Sequence, residues 1–203
     1  MKIGSIKENL EIEQRIAVTP EIIKKYKSLD LNIILPKGYG EHLGFSDKEF
    51  INEGAEILDD EKKVLSESDV VLQMNLIDEK NFENLKNEQI LIGVLNPFSN
   101  NEKIKNLIAK KINCFSLELL PRITRAQSMD ILSSQANLAG YKAVVDSFAY
   151  YQKAIPMMMT AAGTIPAAKV LVVGAGVAGL QAIATAKRMG AIVYATDVRM
   201  ASK

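Results

Sequence analysis

The chain has 203 residues, 48% apolar and 24% charged, the make-up of an ordinary globular protein able to bury a core; this length suits one large domain or two small ones. Twenty-five basic residues against 24 acidic leave a net charge of +1, so neither a nucleic acid nor an anionic membrane surface is expected as a partner. A single cysteine, Cys114, excludes an internal disulfide and a thiolate metal cluster, and the opening MKIGSIKENLEIEQRIAV lacks the apolar core of a signal peptide, so the expectation is a soluble cytosolic protein.

Along the chain, short apolar runs alternate with amphipathic stretches, the βαβ signature of an α/β protein with a parallel sheet. A first run, Lys2 to Ile6, precedes a polar loop and the run Arg15 to Val18. Thr19-Pro20-Glu21 starts a helix: Thr19 can cap it, and Pro20 lacks only an N–H that would be unpaired there. Asn32 to Leu35 reads as a strand closed by Pro36, Gly38 and Gly40, and Ser46 to Glu49 has capping-box spacing before a short helix. Val70 to Leu72, Ile90 to Leu95 and Ile112 to Phe115 read as buried strands. Ile104, Leu107 and Ile108 give the segment 100–110 helical spacing. From Arg125 to Lys153, apolar residues three or four apart, Met129 through Val144, predict a long helix, and Pro156 and Gly163 to Pro166 then break the chain. The division expected is an N-terminal Rossmann-like domain over 1–125, a bridging helix and linker over 126–160, and the start of a second Rossmann domain over 161–203.

Val170 to Ala186 is largely apolar, but it falls short of the about 20 apolar residues of a membrane span and is interrupted by three glycines and Gln181. Its glycines, Gly174, Gly176 and Gly179, form G-x-G-x-x-G between a strand and a helix, and a second strand, Ala191 to Thr196, ends at Asp197. Gly174 permits the tight turn, Gly176 lets a pyrophosphate approach backbone N–H groups at the helix N-terminus, and Gly179 brings helix and strand close. Asp197 can accept hydrogen bonds from an adenosine ribose and repel a 2′-phosphate, which favours NAD over NADP, although Arg199 two residues on could accommodate that phosphate. A dehydrogenase acting on an alcohol or amino acid needs a general acid or base. The only histidine, His42, lies in a glycine-rich loop with no partner at ligand spacing, and Cys114 sits in an apolar run as a small core residue. The densest polar group is Pro121 to Asn137, containing Arg122, Gln127, Asp130 and Ser133; it reads either as a capped helix start or as a functional constellation.

That polar group, PRITRAQSMDILSSQANLAGYKAV, and the stretch from PMMMTAAGTIPAAK through the glycine motif to YATDVR closely resemble the NAD-binding α subunit of proton-translocating nicotinamide nucleotide transhydrogenases. The opening, MKIGSIKE to RIAVTPE, resembles the N-terminal domain these share with alanine dehydrogenases. The resemblance implies that Arg122, Gln127, Asp130 and Ser133 orient two nicotinamides, with Gln127 reaching toward a partner domain bearing NADP(H). It implies that Gly174, Gly176, Val177 and Gly179 hold the pyrophosphate of NAD(H), and Asp197, Val198 and Arg199 the adenosine half. The alanine dehydrogenase substrate lysine and histidine fall at Asn75 and Asn96 here, while its substrate arginine is kept as Arg15. Hydride transfer from ring to ring moves no substrate proton, so the lack of an acid or base fits it. Membrane-spanning and NADP-binding partner subunits, a homodimer, and a cytoplasmic position peripheral to the membrane are implied in the same way. The two other readings are an amino-acid dehydrogenase and a non-catalytic NAD-binding module. Only the opening βαβ of a second dinucleotide fold fits between residue 161 and residue 203, so a truncated second domain and a fragmentary subunit are expected.

Overall fold

In the strands of the first half, neighbouring apolar residues serve opposite faces of one sheet. A computed structural model describes residues 1–200; positions 201–203, the end of the expected 161–203 segment, lie outside the described residues. The chain divides into two compact units, Met1–Ala126 and Gln127–Lys203.

The first unit runs β1 (Lys2–Gly4), α1 (Pro20–Lys27), β2 (Asn32–Pro36), α2 (Asp47–Glu53), β3 (Glu56–Leu58), α3 (Glu61–Glu67), β4 (Val70–Asn75), β5 (Ile90–Val94), α4 (Asn101–Ala109) and β6 (Asn113–Ser116). The six strands form one parallel sheet in the order β3-β2-β1-β4-β5-β6. On one face Ile3, Ile33, Leu35 and Val70 pack with Ile23 of α1 and Phe50 of α2. On the other, Ile34, Val71 and Leu91 pack with Val64 and Leu65 of α3 and Leu107 of α4. Both faces are thus buried, which is why the strands read as continuous apolar runs rather than alternating ones. The strand order reverses between β1 and β4, the place where open α/β sheets leave a crevice beyond the strand ends.

Several local expectations change. Thr19 stands at the N-terminus of α1 in an extended conformation but makes no capping hydrogen bond with its side chain. At Ser46 the reach-back half of the capping box is formed, the backbone N–H and Oγ both donating to Glu49 Oε2 at 2.7 and 2.8 Å. The first strand stops at Gly4, and Arg15 to Val18 forms no strand, although Val18 is buried. β3 and α3 arise from segments whose polar residues hid them.

The second unit contains α5 (Ile131–Tyr150), β7 (Met158–Thr160), β8 (Gly163–Ile165), β9 (Lys169–Val173), α6 (Val177–Arg188) and β10 (Ile192–Thr196). The segment Pro156 to Pro166, expected to be a break, holds the antiparallel β7–β8 hairpin, exposed along its whole length. The long helix is shorter than its apolar pattern, because a 3-10 segment, Thr124–Met129, precedes it and Asp130 caps it. β9 and β10 pair in parallel from Lys169↔Ile192 to Val173↔Thr196, and α6 connects them. Leu171, Val173 and Tyr194 are exposed on this two-stranded sheet. Among the described residues, no helix is long and apolar enough to cross a membrane.

Candidate functional site

The β9–α6–β10 unit builds a groove from backbone more than from side chains. Gly174 leaves β9 at φ +100°, a left-handed conformation that disfavours any residue with a Cβ. Its N–H donates to the Thr196 carbonyl at 2.7 Å, tying the turn to the end of β10. Gly176 caps α6, and the N–H groups of Val177, Ala178 and Gly179 that follow have no carbonyl one turn earlier to accept them. A Cβ at Gly179 would lie 1.8 Å from the Gly174 carbonyl oxygen, so only glycine allows this approach. A Cβ at Gly176 would meet nothing nearer than an Arg199 nitrogen at 3.9 Å, which leaves the mouth of the turn open. Val173, Gly174, Gly176, Thr196, Asp197, Val198 and Arg199 line the resulting groove of about 390 Å³.

Asp197 is the anchor of this groove, its side chain 5% exposed. Arg199 donates to Oδ1 from its backbone N–H at 2.7 Å and from Nε at 3.0 Å, and to Oδ2 from its terminal guanidinium nitrogen at 3.0 Å. The Ala175 N–H donates to Oδ2 at 2.7 Å. The Arg199 guanidinium, then the two backbone N–H groups, hold the carboxyl well below the usual carboxylate range. Asp197 and Arg199, assigned separate tasks from sequence, thus form one ion pair, while Val198 is fully exposed. Ala175 contributes through its backbone alone, so its side-chain identity carries no signal for this contact. The geometry fits a dinucleotide: open N–H groups at a helix N-terminus stand beside an acceptor carboxylate.

Of the residues expected to orient nicotinamides, the structure joins two. Asp130 caps α5, its Oδ1 accepting from the Ser133 N–H at 2.9 Å and its Oδ2 from Ser133 Oγ at 2.7 Å. Gln127 is exposed at the start of the second unit, and Arg122 is exposed at the end of the first.

A second polar group lies at the β1/β4 reversal of the first unit. Glu13, 8% exposed, accepts from Arg15 at Nε (2.8 Å) and at a terminal nitrogen (2.5 Å), and from Asn75 Nδ2 at 3.5 Å. The Arg15 guanidinium lowers the Glu13 pKa. Glu8 Oε1 accepts from Gln73 Nε2 at 3.0 Å and from the Met74 N–H at 2.7 Å, and burial raises its pKa. Asn96 takes a left-handed φ of +46°, with its N–H on Glu118. His42 is exposed, its Nε2 donating to the Gln14 carbonyl at 2.8 Å, and Cys114 is partly buried against the core. No cluster of three or more metal-ligating side chains occurs among the described residues.

A parallel sheet covered on both faces, with a glycine turn opening a second βαβ unit, is the architecture of Rossmann-type α/β proteins. The chain belongs to the alanine dehydrogenase/PNT family: the model of that family's N-terminal domain matches residues 4–139, and that of its C-terminal domain matches 143–203. An NAD(P) transhydrogenase subunit alpha polypeptide of Rhodospirillum rubrum is 47% identical over all of this chain, and its counterpart in Rickettsia prowazekii 45%. The chain spans about half the length of these curated relatives, 54% of each. The crystal structure of transhydrogenase from Sinorhizobium meliloti superimposes with a TM-score of 0.94 at 45% identity, over 100% of this chain and 60% of that one. A solved L-alanine dehydrogenase shares the fold at a TM-score of 0.85 and 20% identity, over 100% of this chain and 56% of that one.

Proposed function

We propose that this chain is an NAD(H)-binding component of a nicotinamide nucleotide transhydrogenase. The observation that carries the reading is the groove in which the open turn Gly174–Gly179 stands beside the buried Asp197 carboxylate. Gly174, Gly176, Val177 and Gly179 would hold the pyrophosphate, and Asp197, Val198 and Arg199 the adenosine half. When bound, NADH supplies a hydride, which passes directly to NADP+ held by a partner domain and leaves NAD+ and NADPH. Arg122, Gln127, Asp130 and Ser133 would then act by orientation and exclusion of water, with Gln127 reaching toward the NADP-bearing partner. The Asp130–Ser133 cap supports this by giving that segment a rigid helical base. Further partners are a membrane-spanning subunit and a second copy of this chain. The exposed hairpin with Met157, Met158, Met159 and Ile165 supports a second copy, since an isolated two-stranded hairpin is marginal in water.

Two features weigh against amino-acid oxidation. Arg15, the side chain that would meet a substrate carboxylate, is engaged by Glu13 in the same chain. Asn75 and Asn96 stand where alanine dehydrogenases are expected to carry their lysine and histidine, which removes the acid/base and carbonyl-polarising groups.

The test is NADH-dependent reduction of an NADP analogue after mixing the complete domain that contains this chain with the NADP-binding component, for the native sequence and for Gln127→Asn. Turnover that requires both components, and that falls in the variant, is expected. An unchanged rate in Gln127→Asn would remove the orienting role. Pyruvate- and ammonia-dependent NADH oxidation by the complete protein would replace the reading with an amino-acid dehydrogenase.

A further inference from the structure

Helix α5 has one glycine, Gly140, near its middle, where glycine is a poor choice because its unfolded backbone is so free. The packing of the second unit explains it. Gly140 is buried, and a Cβ built there would lie 2.1 Å from the carbonyl oxygen of Ala178 and 3.0 Å from its Cα. Both are backbone atoms, so no side-chain rotation relieves the overlap. Ala178 belongs to the first turn of α6, which follows the groove-lining Gly176. The next residue, Gly179, is in similarly close approach to the Gly174 carbonyl. That first turn therefore packs on two backbones, α5 at Ala178 and the β9 turn at Gly179.

We infer that Gly140 is a positioning residue of the dinucleotide site, setting where the first turn of α6 presents its N–H groups to a pyrophosphate. The inference rests on the proposed reading of Gly174–Gly179 as the pyrophosphate cradle. Any side chain at position 140 must push that turn away by roughly 1 Å to reach van der Waals distance. Such a shift is enough to take an N–H donor out of hydrogen-bond range of an anion placed for the native turn. Asp197, at the end of β10, is not on that turn, so contacts to adenosine are spared.

The experiment compares ADP, adenosine and NADH binding to this chain and to Gly140→Ala, by titration calorimetry or NMR. ADP and NADH should lose at least about tenfold in affinity, the equivalent of one charge-assisted hydrogen bond, while adenosine stays within about twofold. Equal losses for ADP and adenosine, or no loss for ADP, would overturn the positioning role. A native chain that binds neither ADP nor NADH would instead overturn the dinucleotide reading on which it rests. Should Gly140→Ala fail to fold, hydrogen exchange on the native chain decides. ADP should slow exchange around Gly140 together with residues 174–180, and protection confined to the loop would refute the inference.

Discussion

Tyr39→Phe removes one oxygen from the buried polar network that ties the β1/β4 junction together. Tyr39 is 1% exposed, between the Phe50 ring at 5.8 Å and the ends of β1 and β2. Ser5 Oγ donates to Gln73 Oε1 at 2.9 Å, so its single hydrogen is spent and the Tyr39 hydroxyl must be the donor in their 2.8 Å contact. The same oxygen accepts from the Ala17 N–H at 3.1 Å and the Val18 N–H at 3.3 Å. Phenylalanine keeps the ring and its packing, so no large cavity opens, but the change strands two backbone donors and one hydroxyl acceptor. At about 1–3 kcal/mol for each buried group left unsatisfied, and less for the longer contact, the loss should be ~2–4 kcal/mol at pH 7. Urea unfolding followed by far-UV circular dichroism measures it as a lower midpoint at unchanged slope. An alkaline series supplies an independent check. Burial, only partly offset by the hydrogen bonds donated by the Val18 and Ala17 N–H groups, pushes the Tyr39 hydroxyl up to about 12 from an ordinary value of 10.0. Its contribution to stability is complete below pH 10 and is lost as the pH rises toward 12, because the unfolded chain ionises first. The native chain should therefore lose ~2–3 kcal/mol more over that interval than Tyr39→Phe, and the two curves should converge. A loss below about 0.5 kcal/mol at pH 7, or the same alkaline slope in both proteins, would refute this account of the network.

Two further outcomes follow from single side chains. Asp197→Ala should weaken NADH more than NADPH in fluorescence titrations, because the carboxylate would accept from the ribose and repel a 2′-phosphate; equal weakening would show that Asp197 does not discriminate them. Leu91→Ala deletes a fully buried side chain on the face of the sheet packed with α3 and α4, and should lower stability by about 2–5 kcal/mol in the same urea assay; a smaller loss would mean that this core closes around the gap.

The central strands were legible because both faces of the sheet are buried. Ile33, Ile34 and Leu35 pack alternately into the two layers, so a parallel strand appears in sequence as an unbroken apolar run. β3, an edge strand of three residues beginning at Glu56, lacks that pattern, since one side of it pairs with nothing. The hairpin was hidden for another reason. Met158–Thr160 and Gly163–Ile165 are exposed throughout, so burial imposes no alternation, and their flanking Pro156 and Pro166 read as breaks. At the groove beyond β9, the glycine spacing located the turn and its acid, but the chelation of Asp197 by Arg199 depends on side-chain geometry that spacing does not specify. The Asp130–Ser133 pair shows the opposite case, a local hydrogen bond three residues apart that a capping pattern can suggest.

The two polar centres should respond to mutation in opposite ways, because one is made of side chains and the other of backbone. Around Tyr39 the hydrogen bonds run through Ser5, Gln73 and Glu8, so taking atoms away exposes partners that nothing else reaches. Around Gly174 the donors are main-chain N–H groups, and the close contacts, Gly179 on Gly174 and Gly140 on Ala178, exist because atoms are missing. There, adding a methyl is the damaging change. On the proposed reading, chemistry that is the alignment of two rings would have little use for an acid or base and would depend on where the backbone stands. A unit poor in reactive side chains and marked by close glycine contacts fits that reading.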